Sequence, residues 1–136
     1  MNKSIYSIFK TISEAGKEPE VVQALKLYGS PVIQTVLKYA FDPNVKWILP
    51  EGVPPYKPCE FLDQEGRLLS ELRKLYLFIE GGNPNLTKFK REILFIQILE
   101  SIDKNDAILL CTIKDKKLPF KNITSNVVKK AFPDLY

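Results

Sequence analysis

The chain has 136 residues, of which 45% are hydrophobic, with two cysteines and no histidine. This length fits one domain, and the apolar content is enough to close a single core without metal ions or disulfides. The absence of histidine excludes Ser-His and Cys-His catalysis and most zinc chemistry, and we interpret the two isolated cysteines as reduced thiols. No apolar run approaches the roughly 20 residues of a membrane span, and no secretory signal is apparent, so we expect an intracellular protein.

Positive charge is concentrated at the C-terminal end. Residues 1–111 carry 14 Lys and Arg against 14 Asp and Glu, whereas residues 112–136 carry six lysines and two aspartates. The net charge of +4 therefore arises entirely in the last 25 residues. This asymmetry favours an anionic partner, usually nucleic acid, although lysines that only keep a surface soluble give the same pattern.

Three short helices are predicted in the first third of the chain. Residues 4–15, 17–29 and 30–43 each carry apolar residues at helical spacing. Each segment opens on a capping serine or an early proline, and each ends at a glycine or an Asp-Pro step.

A proline-rich loop is predicted next. Residues 42–61 contain five prolines and cannot form a regular helix. Trp47, Tyr56 and Phe61 lie in or beside this loop, and such aromatic side chains usually anchor a long loop to the core. Trp47 and Tyr56 would be the contact surface if the loop instead binds a partner protein.

Helical spacing returns in the second half of the chain. Residues 62–79 have one apolar face and are expected to form the longest helix or nearly so. Thr87 caps a segment that is apolar almost all round, which is typical of a central helix. A short helix follows with Asp103 or Asn105 as its cap, and a last one begins at Thr124 or Ser125.

No pair of segments has a convincing hairpin turn between alternating strands. The sequence therefore predicts an all-α fold: one domain spanning residues 1–136, built as a compact bundle of six or seven short helices with one long Pro-rich loop.

Enzyme motifs are missing. The six glycines form neither a P-loop nor a G-x-G-x-x-G fingerprint. The acidic pairs Glu18/Glu20 and Asp103/Asp106 lie at predicted helix starts, where the helix dipole explains them. We therefore expect a non-catalytic protein with no metal, cofactor or small-molecule substrate.

The segment KDKKLPFKNIT, residues 114–124, is the candidate binding surface. Free amides at a helix start favour phosphate, and this segment leads directly into the last predicted helix. A duplex DNA backbone would be bound without sequence preference, whereas the apolar Leu118, Pro119 and Phe120 are expected to pin the loop to the core. A purely solvated connector is the simpler alternative. The candidate contact residues are Lys114, Lys116, Lys117, Lys121, Asn122, Thr124 and Ser125.

Two stretches of the sequence carry a resemblance, the opening IYSIFKTISEAGKEPEVVQALKLYGSPVIQTVLKYAFDPNVKW and the close ILLCTIKDKKLPFKNITSNVVKKAFPDLY. Their order of elements resembles the N-terminal α-helical DNA-binding domain of tailed-phage ATP-dependent DNA ligases. In that family the helical domain binds nicked duplex DNA through the DNA backbone. The family's adenylation motif Lys-x-Asp-Gly is absent here, so the resemblance implies a stand-alone module and no ligase activity. The whole chain also looks like small uncharacterised proteins of cyanobacterial tailed phages.

Two functions are consistent with this sequence. The first is a non-catalytic, sequence-independent DNA-binding module of a phage, acting in replication, repair or DNA handling in the cytoplasm of the infected bacterial host. The alternative is a phage accessory protein that uses the helical scaffold to bind a host or virion protein. Charge placement decides between them, since DNA binding requires the candidate lysines to converge on one face.

Overall fold

The structure is a computed structural model that describes residues 4–59 and 67–136. Within these residues the fold is all-α, as predicted, and pairing between extended segments is limited to an isolated bridge between Trp47 and Ile79. None of the described helices is long and apolar enough to cross a membrane. The elements are α1 (Ile5–Ser13), α2 (Glu18–Tyr28), α3 (Pro31–Phe41), α4 (Arg67–Glu71), a 3-10 helix (Leu72–Phe78), α5 (Lys88–Ser101), α6 (Lys104–Lys114) and α7 (Ser125–Ala131).

Side-chain caps define where most of these helices begin. Ser4, Ser30 and Thr87 each accept a hydrogen bond from the backbone N–H three residues on. Asp103 caps α6 and Thr124 caps α7 in the same way, which settles the two positions where the sequence left a choice. Each such cap satisfies a helix N–H that would otherwise lack a partner.

The predicted helix over residues 62–79 is different in the structure. Its start, and the predicted anchor Phe61, lie outside the described residues. The described part consists of the short α4 and then the 3-10 helix, so the prediction of one long α-helix is wrong there. The apolar residues Leu72, Leu75 and Phe78 recur every third position, and a helix with three residues per turn stacks them on one side.

The centre of the bundle is α6, which packs against α1, α3 and α5. The prediction that the segment after Thr87 is central is therefore wrong. That segment, α5, is the longest described helix with 14 residues, but its Phe89 and Ile93 are exposed. The last helix, α7, packs against α2, and the buried apolar side chains form one cluster.

The Pro-rich loop is extended and fixed to the bundle by its aromatic residues. Trp47 donates from Nε1 to the Tyr39 carbonyl at 3.1 Å, and the two rings lie 5.8 Å apart. Tyr56 also packs against the core. The interpretation of these two aromatics as core anchors is therefore confirmed.

The loop helps to enclose Cys111. Tyr56 lies near this cysteine, and burial, together with the charge of that thiol, raises the pKa of the Tyr56 hydroxyl. Burial raises the pKa of the Cys111 thiol to about 11, against a smaller lowering effect of Lys114. Cys59, farther along the loop, is only half-buried.

We expect one thiol of the native protein to react with a thiolate-specific reagent at pH 8. Cys111 should stay protonated and shielded until the pH approaches about 11 or the chain unfolds. The test is a thiol titration of the wild type and of Cys59→Ser, which should show no fast-reacting thiol. Equal native reaction rates at both cysteines would contradict the burial of Cys111.

A close backbone approach at Gly82 gives a second test of the fold. A Cβ atom at this position would lie 1.8 Å from the Tyr76 carbonyl oxygen, whereas one at Gly52 would meet nothing within 4 Å. Gly82→Ala should therefore destabilise the protein by about 2–3 kcal/mol through overpacking. Gly52→Ala should cost about 1 kcal/mol, since its φ of +89° strains any Cβ. Urea unfolding measures the free energy of unfolding of both variants. Equal losses of stability would argue against the close approach of the Tyr76 carbonyl to Gly82.

Candidate nucleic-acid interface

The Lys116 side chain is half-buried, and its ammonium group bonds to the protein backbone. Its Nζ donates to the carbonyl oxygens of Tyr39 at 3.3 Å, Asp42 at 2.6 Å and Val45 at 3.0 Å. These carbonyls belong to the C-terminal end of α3 and to the loop that follows it. A cation there compensates the partial negative charge of the helix end. Burial lowers the pKa of Lys116, and the nearby Asp42 acts in the opposite direction.

The backbone at Lys116 ends α6. Lys116 has a φ of +63°, and its N–H bonds to Ile113 O at 2.9 Å. The next amide, of Lys117, bonds to Thr112 O at 3.0 Å, which completes a Schellman motif. Glycine is usual at this position, because the left-handed conformation costs other residues roughly 1–2 kcal/mol. The three side-chain hydrogen bonds offset that cost.

Lys114 is internal, with only 4% of its surface exposed. Its Nζ donates to the Pro50 carbonyl at 2.7 Å and pairs with Asp115 Oδ1 at 2.7 Å. Asp115 in turn accepts from the Gly52 amide at 3.3 Å. Lys114, Asp115 and Lys116, which we call the lysine anchor, thus tie the end of α6 to α3 and to the Pro-rich loop.

Three further candidate residues have partners within the protein. Asn122 Nδ2 donates to the Ser13 carbonyl at 2.6 Å. The Thr124 hydroxyl caps α7, and the Ser125 hydroxyl lies 2.9 Å from the hydroxyl of Tyr136. These three side chains hold the loop and the C-terminal segment in place.

The structure therefore does not bring the seven predicted contact residues onto one free surface. The interpretation of Lys114 and Lys116 as DNA contacts is corrected: they are structural residues, because their ammonium groups already donate hydrogen bonds to backbone carbonyls. Lys117, Lys121 and Thr124 are the exposed members of the set, and the Thr124 hydroxyl already caps α7. The apolar part of the segment behaves as predicted, since Leu118 is buried and the Phe120 ring packs 5.2 Å from that of Tyr6.

Exposed lysines that sequence reasoning missed adjoin the residues of this hydrogen-bond network. Lys38 precedes Tyr39, and Lys46 follows Val45, while both of those carbonyls bind Lys116. Lys117 is the next residue after the anchor. We call Lys38, Lys46 and Lys117 the basic corner. All three are exposed, and they lie up to 79 positions apart in the sequence, so local patterning carries no signal of their proximity.

Burial makes the surface more basic than the composition suggests. Among the described residues, 16 of 19 Lys and Arg are exposed, but only 7 of 13 Asp and Glu. Asp42, Glu71 and Asp106 are buried. Ion pairs occupy three of the exposed cations, namely Arg67 and Lys74 with Glu71 and Lys130 with Glu18. The described surface thus presents a clear excess of unpaired cations.

The described residues hold no group of three or more His, Cys, Asp or Glu that is placed to bind a metal ion.

Residues 8–119 match a family of unknown function, DUF6433. The chain belongs to the DUF6433 family. No curated protein and no solved structure matches it. The matched part of this DUF6433 chain includes the lysine anchor and the basic corner, and it ends before Lys121 and α7.

We expect Lys116→Ala to destabilise this DUF6433 protein by about 2 kcal/mol, because the charged hydrogen bonds to three carbonyls are lost. Lys116→Gly loses the same bonds but relieves the strain at φ +63°, so it should be about 1 kcal/mol more stable than Lys116→Ala. Urea unfolding of the wild type and of both variants gives these free energies of unfolding.

Lys117→Ala is the matched control, since Lys117 is exposed, and it should change the free energy of unfolding by less than about 0.5 kcal/mol. A Lys116→Ala variant as stable as the wild type would show that the ammonium group does not hold α3 and the loop.

Proposed function

We propose that this DUF6433 protein is a non-catalytic module that binds duplex DNA through its phosphate backbone, without sequence preference. It acts in phage replication, repair or DNA handling. The observation that carries the proposal is the unequal burial of charge: carboxylates are withdrawn from the described surface, whereas Lys and Arg remain on it.

Unequal burial matters because backbone binding depends on cations that are free to replace counterions. Each phosphate neutralised by Lys or Arg releases condensed counterions from the duplex, and this release supplies most non-specific affinity. A lysine already bonded to protein carbonyls, such as Lys116, cannot contribute. Exposed lysines that form no ion pair within the described residues can contribute to backbone binding.

The proposed contacts differ from those expected from the sequence. Lys117 and Lys121 are retained, and Lys38 and Lys46 are added because they are exposed and adjoin Tyr39 and Val45, whose carbonyls bind Lys116. Lys121 stands near the end of α1, where its neighbour Asn122 bonds to Ser13. Phosphate contacts of this kind fix orientation on a duplex and carry no sequence information.

The alternative role, binding of a host or virion protein, would use Trp47 and Tyr56 as contacts. Both side chains are partly buried against the core, and the Trp47 N–H is bonded to Tyr39. The two aromatics expected to serve this alternative are therefore already engaged, which weighs against it. The four candidate lysines do not converge on one face either, since Lys114 and Lys116 bond to backbone carbonyls, so the proposal depends on the other exposed cations.

Fluorescence anisotropy of a labelled duplex, intact or nicked, tests the proposal over a series of salt concentrations. The logarithm of the binding constant should fall linearly with the logarithm of salt concentration, by about 0.9 per phosphate contact. Lys117→Glu should weaken binding and reduce the magnitude of the slope by about 1.

The matched control is Lys104→Glu. It makes the same charge change at an exposed lysine, but at the opposite end of α6 from Lys117. Its effect should be clearly smaller than that of Lys117→Glu. Absence of binding at low salt, or equal losses in the two variants, would overturn the proposal.

A further inference from the structure

A cleft of about 450 Å³ opens beside the basic corner, between α3 and the turn that follows the 3-10 helix. Its volume falls within the roughly 300–1,000 Å³ that sites for small ligands span. Duplex binding through surface cations does not require this cleft. Its lining combines aromatic rings, aliphatic side chains and a lysine, so its ligand can be inferred from chemistry.

Two tyrosines give the cleft an aromatic character. The Tyr39 ring is held in place by its contact with Trp47, 5.8 Å away. Tyr76 lies on the 3-10 helix and is 49% exposed. Val45 and Ile79 add aliphatic surface. Planar, apolar ligands suit such a lining, because every nucleobase has a π-face that stacks on aromatic side chains.

The turn after the 3-10 helix keeps the cleft open on its other side. Gly81 and Gly82 line the cleft without side chains. Gly82 also donates its N–H to the Ile79 carbonyl, which fixes the turn. Backbone and no side chain therefore borders the cleft at these two positions, where a planar ligand can approach it.

Charge at the cleft favours an anionic group on the ligand. Lys38 lines the cleft, and Lys46 adjoins its lining residue Val45. Arg73 precedes Tyr76 by three residues, so the 3-10 helix places the two in one row. None of these three cations forms an ion pair within the described residues. Glu80 is the carboxylate among the described lining residues, and it can accept a hydrogen bond from a base amino group.

We propose that this cleft binds an unpaired nucleotide, with the base on the tyrosine rings and the phosphate near Lys38 and Arg73. The nucleotide is either free or part of a DNA strand, at an end or an overhang. The inference deepens the proposed function and rests on it in part, since Lys38 also belongs to the basic corner. It adds a stacking site to contacts that are otherwise electrostatic.

Trp47, the single tryptophan of the chain, reports on the cleft through its contact with Tyr39. Deoxyadenosine monophosphate should change the Trp47 emission saturably, with excitation beyond the adenine absorption band. Tyr76→Ala should weaken this binding about tenfold, as expected for the loss of one stacking partner. Tyr76→Phe should retain it.

Tyr28→Ala is the matched control, because Tyr28 is an exposed tyrosine on α2 that does not line the cleft. It should bind deoxyadenosine monophosphate like the wild type. Lys38→Ala should weaken binding of the monophosphate more than binding of deoxyadenosine, which lacks the phosphate. An unchanged Trp47 emission with mononucleotide and overhang DNA alike, or equal losses in Tyr28→Ala and Tyr76→Ala, would overturn the inference.

Two further arms identify the source of the nucleotide and separate this inference from duplex binding. A duplex with a single-stranded overhang that outcompetes both blunt duplex and free mononucleotide identifies a strand end as the ligand. Saturable binding of the free mononucleotide without any preference for the overhang identifies the free form. Lys117→Glu should weaken blunt-duplex binding and spare the monophosphate, whereas Tyr76→Ala should do the reverse.

Discussion

One ammonium group connects the parts of this protein that the sequence keeps far apart. Lys116 Nζ bonds to three carbonyl oxygens at the end of α3 and in the loop beyond it, although 71 to 77 positions separate the donor from these acceptors. The neighbouring Lys114 makes a similar bond to the Pro-rich loop. Because both lysines belong to the end of the central helix α6, they fix the orientation of α3 and of the loop against the core.

The lysine anchor changes which charges are available for binding. A count of charges along the chain treats all six C-terminal lysines alike. In the folded chain, the ammonium groups of Lys114 and Lys116 bond to backbone carbonyls, and removing either donor loses charged hydrogen bonds. Lys38 and Lys46 adjoin two of the residues whose carbonyls bind Lys116, and Lys117 follows Lys116 in the chain. Folding therefore replaces a basic segment of the sequence with a basic corner built from three separate stretches of the chain.

Local features of the fold were predictable because their causes are local. A hydroxyl or carboxylate that caps a helix bonds only two or three residues away, so Ser4, Ser30 and Thr87 could be recognised from sequence. The 3-10 helix had a signal in the three-residue spacing of Leu72, Leu75 and Phe78, but that spacing also fits one face of an α-helix. The bonds from Lys114 and Lys116 to backbone carbonyls had no local signal, because these acceptors are distant in sequence and any residue type supplies them.

The two proposals assign different forms of DNA to the basic corner and to the cleft. Cations near Lys117 serve any duplex backbone, whereas the rings of Tyr39 and Tyr76 suit only a base that is not stacked in a helix. Both features depend on the lysine anchor, which positions α3, and on the turn at Gly82, which borders the cleft.

We propose that folding creates a DNA-binding surface around the lysine anchor. The most direct measurement is a map of backbone amide chemical-shift changes as a short blunt duplex is added at low salt. We expect the chemical-shift changes to be concentrated at residues 38, 46, 117 and 121, with little change at residue 104 at the other end of α6. Changes scattered over the whole surface, confined to the far end of α6, or absent would contradict it.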